Sequence, residues 1–208
     1  MRHDGRERVL AQIRQSLGRT GAKPLQPLPG AGPRPAYEGD VVEHFVAKMR
    51  EKAATVEPLN SLADVGAAVQ RFLDQMHAPP RLRAARALTD IAWPESLQVE
   101  HGAARREDVS SVTPCFAALA ESGGIVTLSG PDTPSTLNFV PDNHIVLVYA
   151  TQVQRHLEDV WALWRASGRP MPRTLNIISG PSRTADIEQT IQLGAHGPRR
   201  LHILLLHG

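Results

Sequence analysis

Residues 178–208 read ISGPSRTADIEQTIQLGAHGPRRLHILLLHG, and the fold of the chain turns on them. The stretch opens where an apolar run, Leu175-Asn176-Ile177-Ile178, stops at Ser179-Gly180-Pro181-Ser182. A short β-rich run closed by a Gly-Pro pair predicts a strand that ends in a tight loop. Residues 183–191 then predict a helix. Ser182 or Thr184 supplies its cap, and Asp186 and Glu188 lie near the positive end of its dipole. Gly194 ends that segment, and residues 201–206 form a second apolar strand. The expectation is a strand–turn–helix–strand unit whose turns gather Ser182, Thr184, Asp186, Glu188, His196 and Gly197. In open α/β sheets, turns at the carboxyl ends of strands are where ligands usually bind.

Upstream of this unit the same alternation holds back to Thr55. Strands are predicted at residues 55–59, 83–88, 97–99, 108–112, 125–128 and 145–149. Helices are predicted at residues 41–54, from Ser61 to the Pro79-Pro80 stop, at 113–119 with Pro114 in the first turn, and at 153–166. The later strands are continuous apolar runs, the pattern of strands buried on both faces. The predicted fold is therefore α/β, a largely parallel sheet covered by helices on both faces. A basic helix at residues 2–17 carries Val9, Leu10, Ile13 and Leu17 on one side. Residues 18–35 hold five prolines and sustain neither helix nor sheet. The domain reading is an N-terminal helical extension with its linker over residues 1–36 and an α/β domain over 37–208. The arm is a candidate dock for a neighbour or a second subunit.

Composition narrows the function. The chain has 208 residues, 41% apolar and 21% charged, with a formal net charge of +2. Its arginines are scattered, which argues against a nucleic-acid surface. There is one cysteine, Cys115, whereas a cysteine-ligated cluster or a structural zinc site needs several thiolates. No apolar run approaches the ~20 residues of a membrane span, and residues 1–6 lack the apolar core of a signal peptide. The expectation is a cytoplasmic protein with no membrane span, no metal and no cofactor of its own.

Three segments carry candidate chemistry. Glu121, in Ala120-Glu121-Ser122-Gly123-Gly124, is a carboxylate at a turn; Gly123 beside it leaves clearance for a ligand. Its bland reading is a turn-capping carboxylate. His144, in Pro141-Asp142-Asn143-His144, precedes a buried strand and either reaches a cleft or fixes a loop. Gly180, Ser182 and Thr184 offer backbone N–H groups and hydroxyls at a predicted helix start, a combination that holds an anion; capping alone explains much of the same segment. His196-Gly197-Pro198 is a second polar turn. The predicted ligand-binding set is thus Gly123, His144, Gly180, Ser182, Thr184, Asp186, Glu188, His196 and Gly197, with Glu121 as the one catalytic candidate.

The same residues carry a family resemblance. Gly180-Pro181-Ser182-x-Thr184-Ala185-Asp186-Ile187-Glu188, followed by Gly194-x-His196-Gly197-Pro198 and an apolar strand, resembles the closing signature of the LUD domain. More narrowly, it resembles the lactate-utilisation protein C family, over roughly residues 41–208. Pro-x-x-His at 141–144 fits that family's pattern. At Glu121 the family segment reads Ala-Glu-Thr-Gly-Thr, from which Ser122 and Gly124 depart. The resemblance implies the NagB/RpiA/CoA-transferase-like architecture. It also implies a clusterless component of an oxidoreductase complex that converts L-lactate to pyruvate, with iron–sulfur clusters in its partner subunits. In that setting the chain is an assembly or substrate-handling subunit whose cleft binds a small carboxylate or a partner loop. The alternative is a stand-alone enzyme of the same architecture, performing acyl transfer through a nucleophilic Glu121 or ligation. A ligand sensor is the third reading.

Overall fold

The computed structural model describes residues 3–18, 32–185, 191–193 and 196–207. The chain divides into two units, Met1–Arg34 and Pro35–Gly208. The first holds α1 (His3–Ser16); Val9, Ile13 and Leu17 are exposed.

In the second unit, α2 (Val41–Glu51) starts at Asp40, whose carboxylate accepts the N–H groups of Val42 and Glu43 at 2.9 Å each. There follow β1 (Thr55–Leu59), α3 (Val65–Gln75), β2 (Arg81–Ala84), β3 (Gln98–His101), β4 (Ser110–Pro114), β5 (Ala117–Leu119) and β6 (Gly124–Leu128). Then come α4 (Thr136–Phe139), β7 (Asn143–Tyr149), β8 (Val153–Gln154), α5 (Leu157–Ala166), β9 (Leu175–Ile178), β10 (Arg183–Ala185), β11 (Ile191–Leu193) and β12 (Arg200–Leu206).

Six strands form a parallel sheet in the order β1-β12-β7-β4-β2-β3. The continuous apolar runs of β7 and β12 lie side by side inside it. Alternate residues serve opposite faces. Ile145 and Leu147 pack with Val69, Phe72 and Leu73 of α3, whereas Val146 and Val148 pack with Phe45 and Met49 of α2. Side chains of this size stabilise by about 1.5–3 kcal/mol each on full burial. Pro58, which donates no ladder bond, sits in the edge strand β1. The fold is α/β, a mostly parallel sheet with helices on both faces.

One face carries more than helices. A second sheet, β8-β5-β6-β9, contributes Ala118 and Ile125 to the cluster around Phe45. Its other side packs Ala117, Leu119 and Val126 against Val160 of α5.

Two predicted helices are strands where the structure describes them. Residues 113–119 fall in β4 and β5: Thr113 lies in a buried strand between β2 and β7, and Pro114 ends it, so sheet pairing overrides the capping signal. Of the helix predicted at residues 183–191 the described part is strand, with Arg183 opposite Leu193, Thr184 opposite Gln192 and Ala185 opposite Ile191; residues 186–190 lie outside the described residues. Thr184 and Ile191, in these two strands, are β-branched, and restricted χ1 freedom favours the extended chain. The helix predicted at 153–166 begins at Leu157, after β8.

Candidate functional site

The two turns of the opening stretch meet. Ser182 donates its backbone N–H to the Pro198 carbonyl at 2.8 Å, and its hydroxyl accepts the N–H of His196 at 3.4 Å. This closes Gly180-Pro181-Ser182 onto His196-Gly197-Pro198. Gly180 adopts a φ of +98°, and a Cβ there would lie 2.7 Å from the Lys52 carbonyl oxygen, so the turn needs glycine.

Beneath the joined turns is a cavity of about 210 Å³, lined by His144, Gly180, Ser182, His196 and Gly197 together with Asn138 and Ser179. Its floor is the amino-terminal end of β7 and β12, where His144 pairs in register with Leu201. The carboxyl ends of the parallel strands, where the sequence pattern places a ligand, point away from it. The cavity lies instead at the carboxyl end of β9, in the second sheet.

His144 and Asn138 are buried polar side chains of this cavity, His144 the more fully enclosed. The Nε2 of His144 lies 2.8 Å from the Thr113 hydroxyl, and its Nδ1 has no partner among the described residues. Burial pushes its pKa down to about 3, so the imidazole is neutral at physiological pH. With Nε2 held by Thr113, Nδ1 is left to a ligand as one hydrogen-bonding atom. An unpartnered buried polar atom is destabilising, which makes it a mark of a site that gains a partner. Asn138, buried, donates its amide to the Thr127 hydroxyl at 2.9 Å. No Lys, Arg, Asp or Glu among the described residues lines the cavity.

Glu121 stands apart. One carboxylate oxygen accepts the backbone N–H of Leu157, the first residue of α5, at 3.0 Å; the other lies 2.9 Å from His156 Nδ1. A carboxylate on the first N–H groups of a helix is a cap that also meets the positive end of the dipole. Around it Tyr37 stacks on His44 at 3.9 Å and under the Arg155 guanidinium at 4.8 Å. Burial, with the nearby Glu121 and Asp159 charges, raises the Tyr37 pKa against the pull of Arg155. Gly123, at φ +61°, lets the same turn press on α2, where a Cβ would lie 2.7 Å from that of Lys48.

Of the predicted residues, then, the structure gathers His144, Gly180, Ser182, His196 and Gly197 into one cavity. Glu121 and Gly123 are not among its lining residues. The backbone of Thr184 runs in β10, and Asp186 and Glu188 lie outside the described residues. Asn138 and Ser179 were missed. Asn138 sits in α4, a four-residue helix inside a Pro-punctuated segment that reads as loop, and only its tertiary partner Thr127 distinguishes it.

Comparison with known proteins bears on this arrangement. Residues 104–206 match the family model of the LUD domain. A lactate utilization protein C from an Exiguobacterium strain is 35% identical over 121 residues, 55% of this chain and 52% of that protein. Another, from Halalkalibacterium halodurans, is 39% identical over 89 residues, covering 39% and 37% respectively. An uncharacterized protein of Neisseria meningitidis is 36% identical over 88 residues, 42% of this chain and 38% of its own. The chain thus spans about half or less of the length of these curated relatives. The crystal structure of a DUF162 family protein from Deinococcus radiodurans matches 80% of this chain and 96% of its own, with a TM-score of 0.59 at 21% identity. That likeness is one of fold.

Proposed function

The chain belongs to the LUD-domain family, and from that premise we propose that it serves lactate utilization as a binding component. Its working site is the cavity under the Gly180-Pro181-Ser182 and His196-Gly197-Pro198 turns. The observation that carries this reading is His144: a buried, neutral imidazole, its Nδ1 without a partner among the described residues, on a side chain that lines a space assembled by the motif through which the chain resembles its relatives.

The electrostatics choose between the two kinds of occupant that the resemblance implies. A carboxylate moved into a space without a cation keeps its desolvation penalty, several kcal/mol in real proteins. An uncharged group with an apolar body and one hydrogen-bonding tip loses little and satisfies Nδ1. The occupant proposed is therefore a side chain from a partner's loop, and the partners proposed are the iron–sulfur proteins that the resemblance implies. This makes the chain an assembly component. Acyl transfer through Glu121 has less support, because both carboxylate oxygens are engaged in holding the start of α5.

The test is a gene deletion scored for growth on L-lactate as sole carbon source, with rescue by wild type and by Ser182→Trp, which fills the cavity from its wall. Growth should be lost, restored by wild type and not by Ser182→Trp. Normal growth of the deletion strain would remove lactate utilization. Full rescue by Ser182→Trp, with the variant folded by circular dichroism, would remove the cavity. Co-purification of iron–sulfur proteins with the tagged wild type, and not with the variant, checks the partner directly.

A further inference from the structure

A second cavity lies at the opposite end of the same strands, and its chemistry is different. It measures about 410 Å³ and is bordered by Pro114 at the end of β4, Cys115 and Phe116 just beyond it, Gln152 just beyond β7, Thr133 and Arg169. It therefore occupies the crevice outside the carboxyl ends of the parallel strands, the position where open α/β sheets bind small molecules. Its volume falls within the range of ligand sites.

The lining is built around one cation. The Arg169 guanidinium makes no hydrogen bond or ion pair among the described residues, and no described Asp or Glu lines the cleft. The backbone that carries it is fixed. Gly168, at φ +63°, turns the chain out of α5; the Arg169 N–H donates to the Ser167 hydroxyl at 3.3 Å; and Pro170 restricts the backbone of Arg169, the residue before it. Gln152 is held as firmly. Its carbonyl oxygen accepts the Tyr149 N–H at 2.9 Å and the Cys115 thiol at 3.3 Å, while its amide donates to the Cys115 carbonyl at 3.1 Å. A side-chain amide has two donor hydrogens, and this arrangement engages one of them. Burial pushes the Cys115 thiol up to about 12, so it adds no negative charge to the cleft. Phe116 and Pro114 supply an apolar wall.

We propose that this cleft is a binding site for a small organic carboxylate, its carboxyl group paired with Arg169 and its carbon body against Phe116. A guanidinium presents a fork of donors that matches a carboxylate, and the apolar wall favours an organic anion over free phosphate. The site is independent of the cavity under the two turns, and the proposal does not rest on a role in lactate utilization.

The experiment is calorimetric titration of the full chain with L-lactate, pyruvate, succinate and benzoate, and separately with inorganic phosphate. Trp164, whose ring lies 5.6 Å from that of Phe116, gives a parallel fluorescence readout. At least one carboxylate should bind saturably. Arg169→Gln should weaken it at least tenfold, Arg169→Lys less, and Ser182→Trp in the other cavity not at all. Saturable binding by none of the four carboxylates would overturn the proposal. So would an affinity unchanged in Arg169→Gln, or phosphate binding as tightly as the best carboxylate. Because the panel extends beyond lactate and pyruvate, loss of the lactate reading in the growth test would leave this result standing, and the reverse.

Discussion

The two cavities lie toward opposite ends of β7 and differ in almost everything else. At the amino-terminal end, His144 is neutral, buried and short of one partner, and no charged residue among those described lines the space. At the carboxyl-terminal end, Arg169 is exposed and unpaired among the described residues, and the fixed amide of Gln152 stands near it. The lesson is that charge placement, more than volume, assigns the occupant. An ion entering the first space loses water and gains no counter-charge; an anion entering the second meets one. The family motif closes the first cavity, whereas the second is assembled from segments outside that motif.

The sharpest way to break this contrast is to place a charge in the neutral cavity. His144→Asp exchanges an imidazole bonded to Thr113 for a carboxylate with no cation beside it. Stability in urea at pH 7 should fall by about 3–5 kcal/mol, the penalty typical of an uncompensated buried charge. A loss below about 1 kcal/mol would mean that water or a cation reaches the space, and the contrast would fail.

A pH titration of stability probes the same burial from the other side. The folded-state pKa of His144 is about 3 and that of His202 about 4, both lowered by burial, the latter partly opposed by Glu57. Each is below the unfolded value of ~6.5, so the unfolded chain binds more protons between those limits. Stability is then complete above about pH 6.5 and declines as pH falls toward 3–4. The slope approaches 1.4 kcal/mol per unit for each histidine, or about 2 kcal/mol each between pH 7 and pH 5. His144→Gln should flatten the slope by about half, read from urea midpoints at the two pH values. An unchanged slope would show that His144 is not the titrating group.

Gly180→Ala tests whether the turn that roofs the cavity depends on its glycine. A Cβ at φ +98° is strained, and it would lie 2.7 Å from the Lys52 carbonyl oxygen. Destabilisation of about 1–3 kcal/mol is expected, measured by thermal unfolding.

How much of this was legible in the sequence follows from where each signal is written. The strand at residues 175–178 and the strand Thr55–Leu59 read to the residue, and β7 and β12 within two, because long apolar runs between turn residues have few other readings. The segment after Ser182 did not. Its carboxylates and hydroxyls fit a helix start, and only the pairing of Thr184 with Gln192 shows that the β-branched residues prevail. Glu121 was visible as a carboxylate in a turn, but its partner His156 is 35 residues away, and no local pattern connects them. The carboxyl-end cleft was not legible at all. Neither Cys115 nor Arg169 carries a local pattern that marks a cleft; strand order alone brings residues 87, 114–116, 133, 152 and 169 together.

The smallest expected effect is the one that separates binding from stability most cleanly. Arg169 is exposed, lies beyond the end of α5 and holds no ion pair among the described residues, so Arg169→Gln removes no contact that the fold uses. Its unfolding free energy should stay within about 0.5 kcal/mol of wild type, as for surface substitutions generally. Against His144→Asp this is roughly a tenfold smaller effect on stability, from residues at the two ends of one pair of strands. A loss above about 1 kcal/mol in urea would mean that the guanidinium already serves the fold, and the carboxyl-end cleft would then be a packing feature. A null effect on stability combined with weakened carboxylate binding would leave Arg169 one function, holding the ligand's charge.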